Sequence, residues 1–223
     1  MNGFKSAGRW RAGLVAILIT ASLGGCALAT DDVTLGYEPD KSPPSINGAS
    51  NAKVAVAITD NRPEPKNKIS FKINALGMPM APILALNDPA QLIAQAVRSE
   101  LQSRGFQIGS GGSDVTIELA NFFSTFKNGF FSGSADAVVF ITVIVKSADG
   151  SVAYNRAITG HKLLTDVQLA SGSNTKLALD AAAKDAVGQL MADAQFIAAL
   201  LKTGSPAGKP TAGVATRPSL VGS

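Results

Sequence analysis

Few side chains in this sequence have the type and spacing that catalysis or metal binding requires. Cys26 is the only cysteine and His161 the only histidine of the 223 residues. Zinc-type sites need several nitrogen or sulfur ligands, so these two residues do not predict one. A Ser-His-Asp triad would have to use His161, which falls in a predicted strand opposite Val138, and an ordinary strand histidine is the favoured interpretation. The sequence therefore nominates no catalytic, metal-binding or cofactor-binding residue.

Two other groupings carry only a weak chemical signal. Asp60 and Arg62 follow a predicted strand, and they either pair with each other or bind a polar ligand; a turn-stabilising Asp beside a solvated Arg is the favoured interpretation. Gly109 to Ser113 is rich in glycine and serine, as phosphate loops are. It lacks the Gly-Lys-Ser/Thr ending and precedes a strand rather than a helix, so it predicts a plain loop.

Cys26 lies in a segment with the pattern of an export signal. Residues 1–11 carry three positive charges, and Ala12 to Leu23 form an uncharged apolar run of 12 residues, too short to span a bilayer. Leu23-Gly24-Gly25-Cys26 resembles the lipobox of bacterial lipoproteins. That resemblance implies diacylglycerol on the thiol of Cys26 and cleavage just before it. A plain secretory signal beside a stray thiol and a short uncleaved anchor helix remain the alternatives.

The same resemblance implies a location. Two or three acyl chains anchor a protein stably, and lipoproteins of this type usually carry three. Ala27, rather than Asp, follows the cysteine, which by the enterobacterial sorting convention implies the periplasmic face of the outer membrane; the inner membrane is the alternative.

The charge balance excludes a nucleic-acid partner. The chain has 20 basic and 16 acidic residues, but three of the basic ones lie in the first 25 positions, which leaves 17 against 16. A nearly neutral remainder lacks the basic surface that nucleic-acid binding needs.

Composition divides the chain into four parts. Residues 1–25 are the predicted signal peptide. Residues 26–52 are rich in Pro, Ser, Asp, Asn and Gly and predict a lipidated flexible tether, with a short strand at 33–37. The folded domain is predicted at 53–202. Residues 203–223 have linker composition and predict a disordered tail.

Apolar periodicity predicts the elements of the domain. The predicted strands are 53–59, buried on nearly both faces, then 69–73, 115–119, 135–146 and 152–162. One helix begins at an Asp88-Pro89 cap and ends at Gly105, and another runs from about 173 to 201 with a break near Asp193. The turn at Asp149-Gly150 places Val145 opposite Tyr154. The order β-β-α-β-β-β-α predicts a two-layer α+β domain, with two helices on one mixed or antiparallel sheet.

This order resembles the YajG-like family of uncharacterised bacterial lipoproteins. The shared features are the lipobox at Cys26, a first strand that ends in Asp60-x-Arg62, a helix that closes on Arg104-Gly105-Phe106, the strand pair around Asp149-Gly150, and an Ala-rich final helix with Asp193. The resemblance implies an envelope lipoprotein with a small α+β domain. It supplies no activity and no catalytic residues.

Two apolar segments are candidates for partner contact. Leu76 to Leu86, which includes Met78 and Met80, predicts either a loop that covers the core or an adaptable contact surface. Phe130 and Phe131 flank a predicted turn between two long strands, and they are either exposed at its tip or folded back over the sheet.

These observations favour a non-enzymatic, lipid-anchored periplasmic module that binds an envelope protein or polymer. An auxiliary lipoprotein of an envelope transport system is the second hypothesis, and an enzyme acting on the cell wall is the third.

Overall fold

The helices of this protein lie on one face of a mixed β-sheet, which confirms the predicted α+β class. The computed structural model describes residues 29–204. In chain order its elements are β1 (Asp31–Val33), a 3₁₀ turn (Ala49–Asn51), β2 (Lys53–Asp60), β3 (Lys68–Ile73), β4 (Pro79–Ala85), α1 (Pro89–Ser103), β5 (Gln107–Ile108), β6 (Ser113–Lys127), β7 (Gly133–Lys146), β8 (Val152–Val167), α2 (Gly172–Ala192) and α3 (Ala194–Gly204).

The larger sheet has the strand order β5-β2-β6-β7-β8. Strand β2 runs parallel to both of its neighbours, whereas β6, β7 and β8 are antiparallel. The predicted pairing of Val145 with Tyr154 is confirmed. The predicted burial of β2 on both faces is wrong: Val54 and Val56 are buried but Ala57 is exposed, because the helices cover only one face.

A second, three-stranded sheet has the order β1-β4-β3, where a single sheet was predicted. Part of the predicted loop from Leu76 to Leu86 forms strand β4. Pro82 fits into this strand because β1 pairs only with residues 83–85, so no ladder bond with β1 is lost there. Strand β3 lies against the far half of β6, where the Ser70 hydroxyl donates to the Ser124 carbonyl at 2.7 Å.

The predicted start and end of α1 and the predicted break near Asp193 are confirmed. The last helix continues past its predicted end at 201 as far as Gly204, so the tail predicted from 203 is wrong for residues 203 and 204; the rest of that tail and the predicted signal peptide lie outside the described residues. The carboxylate of Asp88 accepts the Ala90 amide at 2.8 Å, and Gly105, at φ 102°, ends α1 with the expected Schellman hydrogen bonds. Asp193 separates α2 from α3. Helix α2 crosses β8 at Gly160, where a Cβ atom would lie 2.1 Å from the Ala182 carbonyl oxygen, so only glycine permits this packing.

Residues 31–46, which we call the strap, are bound to the domain along their length. Asp31 forms an ion pair with Lys72 at 2.7 Å, and the Leu35 amide donates to the Asn87 side chain. The amide of Gly36 donates to Asp180 of α2 at 2.9 Å. The flexible tether predicted for 26–52 is therefore wrong for the strap, because side chains from distant parts of the sequence hold its polar backbone groups.

Glu100 of α1 fixes the second half of the strap. Its carboxylate is 1% exposed and accepts the Tyr37 hydroxyl at 2.8 Å, the Asp40 amide at 2.9 Å and the Arg104 guanidinium. Burial raises the pKa of Glu100, but these three donors outweigh it and hold the pKa below its ordinary value. Arg104 also reaches Asp40 at 3.0 Å. The buried carboxylate is therefore ionised and joins strap to helix.

We predict that Glu100→Gln lowers the free energy of unfolding at neutral pH by about 3 kcal/mol. This value is at the low end of the range for breaking a buried ion pair, because Arg104 keeps Asp40 as a partner. Since the folded-state pKa is depressed, the charge of Glu100 stabilises the fold above its unfolded pKa of about 4.3, and this contribution disappears as the pH falls through the folded-state pKa. The variant should therefore lose less stability than the wild type on acidification.

Urea unfolding between pH 7 and pH 3 checks this prediction. Glu38→Gln is the matched control, because Glu38 is exposed on the same strap and its replacement should change the free energy by less than about 0.5 kcal/mol. Equal stabilities of the Glu100→Gln protein and the wild type would contradict the account of the strap.

Candidate interaction surface

Three connections meet at one end of the domain. They are the β3–β4 turn at 74–78, the β6–β7 turn at 128–132 and the β8–α2 loop at 168–171. The side-chain amide of Asn128 donates to the carbonyl oxygens of Asn74 at 2.9 Å and Ala75 at 3.0 Å, which joins the first two turns. Residues of all three connections line one shallow cleft.

Large apolar side chains at this end are open to solvent. We call this surface the apolar end; it comprises Leu76, Met78, Phe130, Phe131 and Leu169. Phe130 and Phe131 are 94% and 91% exposed and contact each other edge to face at 4.7 Å. Each ring left in water forgoes roughly 1.5–3 kcal/mol of burial. Several exposed apolar side chains gathered at one end of a domain make that end a candidate for partner contact.

Local backbone geometry holds the two rings outward. At Gly129 a Cβ atom would lie 2.1 Å from the Ser132 carbonyl oxygen, so the turn closes tightly and only glycine fits there. The Ser132 hydroxyl donates to Asp166 at 3.2 Å across to the end of β8. Because both rings are almost fully exposed, the turn projects beyond the sheet instead of folding back over it.

The sequence-predicted contact residues have the following places. Phe130 and Phe131 lie at the tip between two long strands, and Met78 lies half-exposed at the neighbouring turn. Met80 is in β4 and 37% exposed. Their role in partner contact stays a prediction. Cys26 lies outside the described residues.

Leu169 was missed by sequence reasoning. It is 73% exposed in a loop that was not singled out. A single leucine in this short loop becomes meaningful only once β8 is known to end beside the β6–β7 turn.

Asp60 and Arg62 pair with each other. The Arg62 guanidinium donates to both carboxylate oxygens, at 2.7 and 3.0 Å, and lies 5.9 Å from the ring centre of Phe122. Burial raises the pKa of Asp60, but the bonds from Arg62 outweigh this and lower it. Arg62 is buried, so the interpretation of a solvated arginine is wrong.

Asp193, at the break between α2 and α3, is also engaged by side chains of the fold. It accepts the Tyr154 hydroxyl and the Arg156 guanidinium, each at 2.7 Å, and caps α3 through the Gln195 amide. Burial raises the pKa of Asp193, but these donors hold it below its ordinary value. The pair of Tyr154 and Asp193 thus ties the final helices to β8.

His161 lies on β8 opposite Val138, as predicted. Its Nε2 atom lies 2.7 Å from Asp136 Oδ1, and its backbone amide donates to Asp185. Among residues 29–204, no group of three or more His, Cys, Asp or Glu side chains is arranged to hold a metal ion. Within the same residues, no helix has the length and apolar character needed to cross a membrane.

Comparison with known proteins identifies the family. Residues 39–201, more than half of the chain, match the family model Lipoprotein_16, described as uncharacterised lipoprotein. The chain belongs to this family, and the resemblance to the YajG-like lipoproteins is confirmed. No curated protein matches the sequence.

One of the similar solved structures supports the fold. A Xanthomonas campestris protein of the family DUF330 is 12% identical with a TM-score of 0.51, covering 79% of this chain and 96% of its own. A minor lipoprotein from Acinetobacter baumannii is 11% identical with a TM-score of 0.36, covering 64% of this chain and 94% of its own. At 12% identity the first likeness concerns the fold alone, and no conclusion is drawn from the second.

We predict that the double change Phe130→Ser, Phe131→Ser alters the free energy of unfolding by less than about 1 kcal/mol, because both rings are already in water and lose mainly their contact with each other. Phe122→Ala is the matched control. Phe122 is 1% exposed, so its truncation should cost about 3–5 kcal/mol. Thermal and urea unfolding measure both; a comparable loss in the double variant would show that the rings belong to the core.

Proposed function

We propose that this protein is a lipid-anchored, non-enzymatic binding module on the periplasmic face of the outer membrane, held there by acylated Cys26. Membership of a lipoprotein family and the Leu23-Gly24-Gly25-Cys26 sequence support the anchor. Ala27 after the cysteine supports the outer-membrane location.

The state of the polar side chains supports a binding role over catalysis. The buried or half-buried carboxylates of Asp60, Glu100 and Asp193 are each engaged by an arginine or tyrosine of the fold. A general acid or base needs a proton to exchange with substrate, whereas these groups are held ionised in structural pairs. Their depressed pKa values also lie far from those that suit proton transfer at neutral pH.

The single observation that carries the binding role is the apolar end. Phe130 and Phe131 are almost fully solvent-exposed on a turn that is well fixed at its base. Aromatic side chains that are rigidly presented and left unburied supply the anchors of many interfaces, since little conformational entropy is lost when they bind.

We predict that Cys26→Ser abolishes lipid labelling and leaves the precursor uncut, because an oxygen replaces the thiol that accepts diacylglycerol. Metabolic labelling with a palmitate analogue, followed by separation of the two membranes on a density gradient, makes the test. Gly24→Ala is the matched control, since it retains the small residue and should keep the label.

Label in the Cys26→Ser protein equal to that in the wild type would overturn the anchor. Labelled wild-type protein that sediments with the inner membrane would overturn the location but not the anchor.

A further inference from the structure

We infer that the apolar end is a lipid-contacting surface, which lies against the same membrane that holds the acyl chains of Cys26. This inference rests on the proposed function, because it needs an anchored chain. It names membrane lipid as what the apolar end binds, so that the domain is not merely tethered near the bilayer but faces it with one defined end.

The first argument is the direction in which the chain leaves the fold. Strand β1 runs parallel to β4, and β4 begins at the β3–β4 turn and runs away from it. The chain therefore enters β1 from the side of that turn, which carries Leu76 and Met78. The Asp31 carboxylate accepts a hydrogen bond from the Gly172 amide at 2.8 Å. Gly172 directly follows the loop that holds Leu169.

The second argument is reach. Asp31 pairs with Ile83 and lies level with Ser70, and β3 continues only to Ile73 before its turn. That interval of three residues is roughly 10 Å along the strand. Five residue steps separate Cys26 from Asp31, and an extended chain covers at most about 18 Å over five steps. The acylated residue can thus reach the level of the apolar end but cannot pass far beyond it.

The two ends of the domain differ in character. The β7–β8 turn at 147–151 is at the opposite end of the long strands and consists of Ser, Ala, Asp, Gly and Ser. Gly204, where the described chain ends, is at that far end beside Lys53 and Ser113. A short anchor at one end therefore brings the apolar residues, and not the polar turn, to the membrane.

The chemistry of the apolar end suits the border between headgroups and acyl chains. Aromatic and aliphatic side chains on turn tips can enter this layer while their backbone groups stay hydrated at headgroup level. Lys127 and Asp166 lie beside the apolar residues and carry charges of opposite sign. Because these two charges balance, burial of apolar side chains rather than attraction to anionic lipid drives the contact.

A single tryptophan tests the inference. The chain has one tryptophan, Trp10, which lies in the segment removed on cleavage, so Phe131→Trp gives the mature protein a unique fluorophore. The purified, lipidated full-length mature protein is placed in vesicles of phosphatidylethanolamine and phosphatidylglycerol with brominated acyl chains. The expected result is a shift of emission to shorter wavelength and loss of most of its intensity relative to unbrominated vesicles.

Val152→Trp is the matched control, because Val152 is exposed beside the opposite turn. Its emission should not change with bromination and should be open to quenching by aqueous acrylamide. Equal quenching of both variants by bromine would overturn the inference, since the domain would then have no preferred orientation.

Two further results would also overturn it. If Phe131→Trp is shielded from acrylamide yet insensitive to bromine, the apolar end is covered by a second copy of the chain. If it is open to acrylamide, the surface is free. Mass spectrometry of the same sample distinguishes failure of the proposed function from failure of this inference. Absence of lipid on Cys26 would overturn both. Full lipidation of Cys26 with unquenched emission from Phe131→Trp would overturn this inference alone.

Discussion

Attachment of the strap to the domain is the constraint on which the orientation that we propose for this protein depends. The buried carboxylate of Glu100 collects the Tyr37 hydroxyl, the Asp40 amide and the Arg104 guanidinium, while Asp31 is held at the other end of the strap. A flexible tether would let the domain rotate freely about its anchor. In the anchored arrangement that we propose, a strap bound to the domain leaves only five residue steps between Cys26 and Asp31, so the fold would set the side of the domain that meets the membrane.

The same fold produces the exposed turns. Strand β2 pairs with β6 only as far as Leu119, and beyond it β6 and β7 continue as a long hairpin with β3 alongside. The helices cover one face of the larger sheet. The end of the β6–β7 hairpin extends past β2, so that end consists of turns. Polar groups elsewhere, such as Asp60 and Arg62, are paired within the fold.

Local signals in the sequence predicted much of the fold. Asp88, Gly105 and the Asp149-Gly150 turn act within a few residues of themselves, so their effects can be read without the tertiary structure. The strap was missed because its partners are distant: 63 positions separate Tyr37 from Glu100, and 144 separate Gly36 from Asp180. Strand β4 was missed because its prolines resemble loop composition until the short reach of β1 is known. The turn-forming residues around Phe130 and Phe131 predicted that the two rings flank a turn between long strands. That Leu169 lies at the same end of the domain could be seen only in the structure.

Amide hydrogen exchange of the lipidated protein, bound to vesicles and compared with its delipidated form in solution, tests the central claim most directly. The account predicts that membrane binding slows exchange in the turns at 74–78 and 128–132 and in the loop at 168–171, and leaves the turn at 147–151 unchanged. Slower exchange confined to 147–151, or no difference at either end, would contradict an orientation set by the strap.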